Sequence, residues 1–295
     1  MTDQAKATIL ALTTVLIWST VASAFKLSLR ILSVAELLFF SSACSVLVLG
    51  LVILVQGRLQ DLFSVSGRDL LLSAGLGFLN PFAYYFVLFW AYDLLPAQEA
   101  QPLNYTWAIT LSLLSVPLLK QSLRFVDLMA LVISYSGVYV ISTRGELLGL
   151  EFSNPVGVGL ALGSTIIWAL YWIFNTQDAL DPACRLFLNF VFGTFFVGVA
   201  MALTQSFSWP PVKGLLGALY IGALEMGITF VLWSTALKLS RSAAQVSIFI
   251  YLSPFLSLIF IHFLVGETIL PSTCVGLILI IAGIGTQQLF RLREA

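Results

Sequence analysis

Leu16-Ile17-Trp18 is echoed 150 residues later by Ile166-Ile167-Trp168, and Phe86-Val87-Leu88 is echoed 145 residues later by Val231-Leu232-Trp233. The offsets are nearly equal, so one long stretch reads as occurring twice, first over residues 1–148 and again over 149–295. Each copy holds five apolar segments. An odd number of crossings reverses direction, so the second copy is expected to run through a bilayer upside down relative to the first. The expected fold is an all-α polytopic membrane protein, with ten transmembrane helices arranged as two inverted five-helix repeats.

Composition explains why lipid is the expected solvent. Of 295 residues, 59% are hydrophobic and 9% charged, with a mean hydropathy of +1.00. A soluble domain carries about a quarter charged residues. Lys plus Arg and Asp plus Glu are both 14, so no basic excess points to nucleic acid. Cys44, Cys184 and Cys274 lack the spacing of a disulfide framework or zinc site. The first 25 residues imitate a signal peptide, but Asp3 and Lys6 make a weak basic start. The segment is therefore read as a retained first helix.

The ten apolar segments fall near 7–26, 35–56, 69–91, 97–119, 125–143, 155–175, 184–205, 213–236, 242–264 and 271–290. Each is long enough to cross about 30 Å of hydrocarbon as a helix. They are about twice the length of a barrel strand, which argues against a β-barrel. Gln56–Arg68, Arg144–Asn154 and Asn175–Asp181 are polar breaks too short to form a soluble domain. With the N-terminus inside, Lys6, Arg58, Arg68, Lys120, Arg124, Arg185, Lys238, Arg241, Arg291 and Arg293 fall on one side. Lys26, Arg30, Arg144 and Lys213 fall on the other, which makes both termini cytoplasmic by the positive-inside rule. Gly159-xxx-Gly163, with Gly75, Gly77, Gly214, Gly217 and Gly222, offers close helix approach. Because that packing can be met inside one chain, a monomer suffices, and the oligomeric state stays open.

Polar residues at membrane depth usually face protein or water, and they mark the candidate site. Asn80-Pro81, followed by Tyr84 and Tyr85, is expected to kink the third segment. Glu225 holds the matching place in the second copy, near Phe230 and Trp233. It is read either as a ligand for a proton or a cationic amine, or as a neutral or paired group fastening two helices. The fourth segment opens Pro96-Ala97-Gln98-Glu99-Ala100-Gln101-Pro102-Leu103-Asn104-Tyr105-Thr106-Trp107. Gln101, Asn104 and Tyr105 share one side of a helix, and Pro102 can free the Gln98 carbonyl. This stretch either lines a pocket or glues helices. Its counterpart runs from Arg241 to Pro254 and includes Gln245, Ser247, Tyr251 and Ser253. Trp18 and Trp168 are read as clamps for a ring or as lipid-facing bulk. His262, the single histidine, lies near a membrane surface five residues before Glu267 and is read either as a proton switch or as an incidental surface residue. No phosphate loop, metal cluster or nucleophile elbow is present, so no enzyme, metal or cofactor is expected.

Ile17-Trp18-Ser19, Tyr251-Leu252-Ser253-Pro254-Phe255, Gly266-Glu267 and Gly276…Gly283, set in the doubled architecture, resemble the drug/metabolite transporter superfamily in its EamA-type branch. The resemblance covers nearly the whole chain. Asn104-Tyr105-Thr106-Trp107 stands where the second copy has Leu252-Ser253-Pro254-Phe255, and Lys120-Gln121 replaces Gly266-Glu267. Within the branch, Glu99 to Pro102 and Asn104 to Trp107 are similar to the bacterial YddG-like exporters of aromatic amino acids.

That likeness implies a bacterial inner-membrane protein exporting aromatic amino acids and related amphipathic metabolites by alternating access. Its partners would be a small-molecule substrate and the lipid bilayer. Trp18, Asn80, Tyr84, Gln101, Asn104, Trp107, Trp168, Glu225 and Tyr251 are the candidate substrate-binding residues. The alternatives are export of another small metabolite or drug, or translocation of a lipid-linked solute, in the same fold.

Overall fold

The computed structural model describes residues 2–120, 125–146, 148, 152–175, 180–204, 209–240 and 248–294. Gln121, Arg124, Arg241, Gln245 and Ser247 lie outside the described residues. The described parts of the apolar segments are helical, because hydrocarbon offers no outside partner for a peptide group. In chain order the helices are α1 (Asp3–Leu29), α2 (Val34–Val55), α3 (Gly67–Leu94) and α4 (Ala97–Tyr105). They continue as α5 (Trp107–Leu119), α6 (Phe125–Ser142), α7 (Pro155–Asn175) and α8 (Pro182–Thr204). The last are α9 (Val212–Leu239), α10 (Phe249–Val265) and α11 (Pro271–Glu294).

Polar residues at the helix starts fix where the chain turns. Ser33 and Glu36 close a reciprocal capping box at the head of α2, and Ser66 and Asp69 do the same for α3. Each box satisfies backbone donors left over by the first turn.

The expected count of ten spanning helices is corrected. Among the described residues, seven helices are long and apolar enough to cross a membrane: α1, α2, α3, α6, α7, α8 and α9. The predicted span 97–119 is two short helices, α4 and α5, meeting at Thr106. Its first part, which carries Gln98, Glu99, Gln101 and Asn104, is 9 residues long and its second 13, and neither alone reaches across the hydrocarbon. The described parts of 242–264 and 271–290 supply only the shorter apolar helices Phe249–Val265 and Pro271–Gln287. Seven spans do not divide into two five-helix bundles, so the arrangement as two inverted five-helix repeats falls with the count.

Packing interleaves the first and last parts of the chain. The most extensive contacts pair α6 with α11, α2 with α8, the latter part of α3 with α7, and α1 with the latter part of α9. Two helices depart from regular geometry near mid-length. In α3, Asn80 is extended (φ −145°, ψ 119°) ahead of Pro81, as the sequence led us to expect of a kink. In α9, Ile221–Ile228 widens into π-helical turns around Glu225. π turns inside α-helices often accompany functional positions.

Small residues let α8 lie against the α3 kink: a Cβ added to Gly193 would sit 2.3 Å from Pro81 Cδ. A Cβ on Gly222 of α9 would meet the Ser41 carbonyl of α2 at 2.2 Å. Gly77 and Gly217 are likewise in close contact with neighbouring helices, and Gly214 with the turn at Ile31 and Leu32. Gly159, Gly163 and Gly75 are not, since nothing lies within 4 Å of the place their Cβ would take. The predicted packing role of Gly159-xxx-Gly163 is therefore absent from the fold: that face of α7 points away from its neighbours.

Candidate functional site

A cavity of about 1150 Å³ runs into the bundle between α1, α3, α4, α5, α7 and α9. That volume is ample for an amino-acid-sized solute, since ligand pockets commonly measure about 300–1,000 Å³. Its mouth lies among Gln56, Arg58, Asp181, Pro182 and Lys238. Its far limit is set by Phe25 and Tyr92.

Aromatic rings form the walls. Trp168 packs on Tyr84 with ring centres 4.5 Å apart and planes at 30°, and on Tyr171 at 5.8 Å and 29°. Across the space Trp18 meets Trp233 at 5.4 Å. Trp107, Trp172 and Phe230 complete the apolar lining. Phe25, buried and edge-on to Tyr85, Phe89 and Tyr92, makes the floor. Near-parallel rings at these separations hold each other in place and present flat faces to a guest.

The polar groups in the walls are few and oriented. Tyr84 donates its hydroxyl to Asn104 Oδ1 at 3.4 Å, and Asn104 Nδ2 donates to Ser164 Oγ at 3.0 Å. Tyr85, sealed in the core, donates to Glu225 Oε1 at 3.1 Å. The Trp18 indole lies beside the same carboxylate, whose Oε2 is left without a hydrogen-bond partner. Gln101 Oε1 is also unpartnered and buried.

Of the nine residues singled out from the sequence, seven line this one cavity: Trp18, Tyr84, Gln101, Asn104, Trp107, Trp168 and Glu225. The other two lie outside its lining. Asn80 is fully buried at the α3 kink, beneath α8, and Tyr251 packs at the edge of the hydrophobic core. The two readings of the polar stretch at 96–107 both hold, for different residues. Gln101, Asn104, Tyr105 and Trp107 face the cavity, whereas Gln98 and Glu99 fasten helices beyond its floor.

Those fastenings close the end opposite the mouth. The Glu267 carboxylate accepts from the backbone N–H of Ala97 at 2.7 Å and of Gln98 at 3.1 Å, capping α4. Lys26 donates to the carbonyls of Tyr92 at 2.6 Å and Leu95 at 2.8 Å, which caps the end of α3. Opposite charges at the two helix ends complement the helix dipoles. Glu99 takes Arg144 Nε at 2.8 Å and the Ser153 hydroxyl. His262 is exposed at this end, with Nδ1 3.0 Å from the Glu267 carbonyl, and has no place in the cavity.

Three groups were not assigned to a site from the sequence. Tyr171 extends the aromatic wall. Arg185, almost fully buried, lines the mouth while donating to Ser73 Oγ and the Asp69 carbonyl. Gln287 bridges Ser112 Oγ and Asp127 Oδ1 at 2.6 and 2.7 Å. An arginine one turn into an apolar segment and a glutamine near the end of another were the available signals, since such groups are costly in lipid without partners.

With this geometry in hand, likeness to known proteins is informative. The sequence model of the EamA-like transporter family matches residues 5–143 and again 155–286. A relative from Acidianus ambivalens, described as an uncharacterized transporter in a sor 3′ region, is 27% identical over 177 residues, spanning 59% of this chain and 68% of its own. The aromatic amino acid exporter YddG of Ancylobacter novellus is 25% identical over 166 residues, spanning 56% of this chain and 57% of its own. A crystal structure 21% identical in sequence superposes with a TM-score of 0.70 over 98% of this chain and 99% of that one, which speaks for the fold. A transporter family agrees with the absence from the sequence of an enzyme's reacting groups. The chain belongs to the EamA-like transporter family, and is a multi-pass membrane protein that acts as a secondary transporter of small metabolites or drugs.

Proposed function

We propose that this transporter exports aromatic amino acids and related amphipathic metabolites from the cytoplasm by alternating access. One observation carries the reading: the cavity is walled by Trp18, Tyr84, Trp107, Trp168, Phe230 and Trp233 around the few polar groups of Asn104, Gln101 and Glu225. Stacking on such walls favours a flat, apolar ring, and the polar groups suit a compact headgroup. The likeness to the Ancylobacter exporter supports the same substrate class.

The solute enters at the Arg58 and Lys238 mouth and rests between Trp18 and Trp168. It leaves when the Lys26, Glu99 and Glu267 contacts part at the far end. A carrier needs one closed end at a time, and that far end is the one now fastened by polar contacts. In this reading the mouth faces the cytoplasm of a bacterial inner membrane, and the N-terminus shares that side. Support comes from the basic residues Arg58, Arg185 and Lys238 around the mouth. The start of α1 also packs against Ala236, Leu237 and Leu239, near that mouth.

The test is efflux from proteoliposomes loaded with labelled phenylalanine. Saturable efflux competed by tryptophan and tyrosine is expected. Absence of saturable aromatic efflux, or equal competition by alanine and leucine, overturns the reading. Impermeant labelling of cysteines placed at either terminus decides the orientation.

A further inference from the structure

The polar groups deep in the cavity are matched to a positive charge. Glu225 is held through one oxygen only: Tyr85 donates to Oε1, and Tyr85 is itself fixed by edge contacts with Phe25 and by packing on Tyr84 and Phe89. Oε2 has no partner, and Gln101 contributes a second unpartnered acceptor, Oε1, to the same cavity. Trp18, Trp107 and Trp168 stand around this space with their rings available to a cation.

Among the described residues, nothing comparable serves an anion there. The cationic side chains in the cavity lining are Arg58, Arg185 and Lys238, all at the mouth. Arg58 is paired with Asp181, and Arg185 with Asp69. Among the described residues, a guest whose ring lies between Trp18 and Trp168 therefore meets a carboxylate and no cation. Burying a carboxylate without a partner is costly, whereas an ammonium group gains charge-assisted hydrogen bonds.

We propose that Glu225 and Gln101 form a socket for a primary ammonium group, so that the cavity takes aromatic amines lacking a carboxylate at least as well as it takes aromatic amino acids. This rests on the reading that the cavity is the transport site, and it narrows the substrate class to the amine end of the molecule. Tyr85 is a positioning residue, holding the carboxylate through Oε1 and leaving Oε2 for the guest.

The experiment measures binding to the full-length protein in detergent for three probes: phenethylamine, phenylalanine and N-acetylphenylalanine. Phenethylamine is expected to bind at least as tightly as phenylalanine. N-acetylphenylalanine, without an ammonium group, should bind about tenfold or more weaker. Glu225→Gln should weaken phenethylamine by about tenfold or more while lowering its preference over N-acetylphenylalanine. The wild-type series needs no variant, so a folding defect in Glu225→Gln does not blunt the test. If N-acetylphenylalanine binds as tightly as phenylalanine, the socket is overturned and aromatic binding stands. If phenethylamine binds far more weakly than phenylalanine, the carboxylate is being recognised and the socket is again overturned. If wild-type protein binds none of the three, the aromatic-solute reading falls together with the socket.

Discussion

Glu99 and Arg144 meet across the closed end of the bundle, with Arg144 Nε 2.8 Å from Glu99 Oε1. The glutamate side chain is 1% exposed and the arginine 50%. This inequality sets the consequence of breaking the pair. Removing Arg144 strands a buried carboxylate, whereas removing the carboxylate leaves a cation that water can still reach.

Arg144→Ala should therefore cost more than Glu99→Gln. The expected losses are about 1–3 kcal/mol for the first and under about 1 kcal/mol for the second, discounted for the exposed partner. Denaturant unfolding of the two variants and their combination in detergent reads this out. A larger loss for Glu99→Gln than for Arg144→Ala would contradict the asymmetry.

Lys26 and Glu267 hold the ends of α3 and α4, which meet at the fully buried Leu95. Lys26→Met or Glu267→Gln should loosen that end and favour its opening. The readout is labelling of Leu95→Cys by an impermeant thiol reagent, with the exposed Cys274 replaced by serine to clear the background. Labelling should rise severalfold over the parent, because a cap substitution costs about 1 kcal/mol, or about a fivefold shift. Unchanged labelling in both variants would remove these residues from the gate.

Trp168 touches both Tyr84 and Tyr171, so it organises one whole wall of the cavity. Trp168→Ala should weaken phenylalanine binding by about twofold to twelvefold, the range set by about 0.5–1.5 kcal/mol per ring pair. Leucine binding should change less. Equal loss for both ligands would mean a collapsed wall and not lost recognition of a ring.

Gly193 and Gly159 make a matched pair for packing. Gly193→Ala would drive a methyl group into Pro81 at the α3 kink, and is expected to cost about 1–3 kcal/mol. Gly159→Ala meets nothing within 4 Å and should be neutral or stabilising by up to about 1 kcal/mol through helix propensity. Thermal unfolding of the two proteins distinguishes them directly.

Several cavity-lining residues were legible before any fold was available, for a physical reason. Glu225, Asn104 and Gln101 are costly in hydrocarbon, so their presence inside apolar segments already required a protein or water neighbour. Trp18 and Trp168 stood out because their surroundings recur 150 residues apart. The same logic pointed to Asn80, and there it met a different answer: the residue sits at a helix break beneath α8 and not on a cavity wall. Tyr171 and Gln287 escaped notice because a tyrosine or glutamine near a helix end has an ordinary interfacial explanation.

The count of spanning helices misled for a related reason. A window of apolar residues measures affinity for lipid, but it does not sense where the backbone bends. Thr106 divides the stretch 97–119 into two short helices, and the polar residues of α4 turn to a cavity and to the Glu267 cap.

Composition alone determined that this chain lives in a bilayer as helices, since so much apolar surface and so many peptide groups have no other stable arrangement. Sequence also named most of the groups that meet in the cavity. Which end of the cavity is fastened, which oxygen of Glu225 is free and which glycines touch a neighbour were decided only by tertiary structure. Each depends on the rotation of one helix against another, and hydrophobic period and residue type leave that rotation undetermined when every face of a helix is apolar.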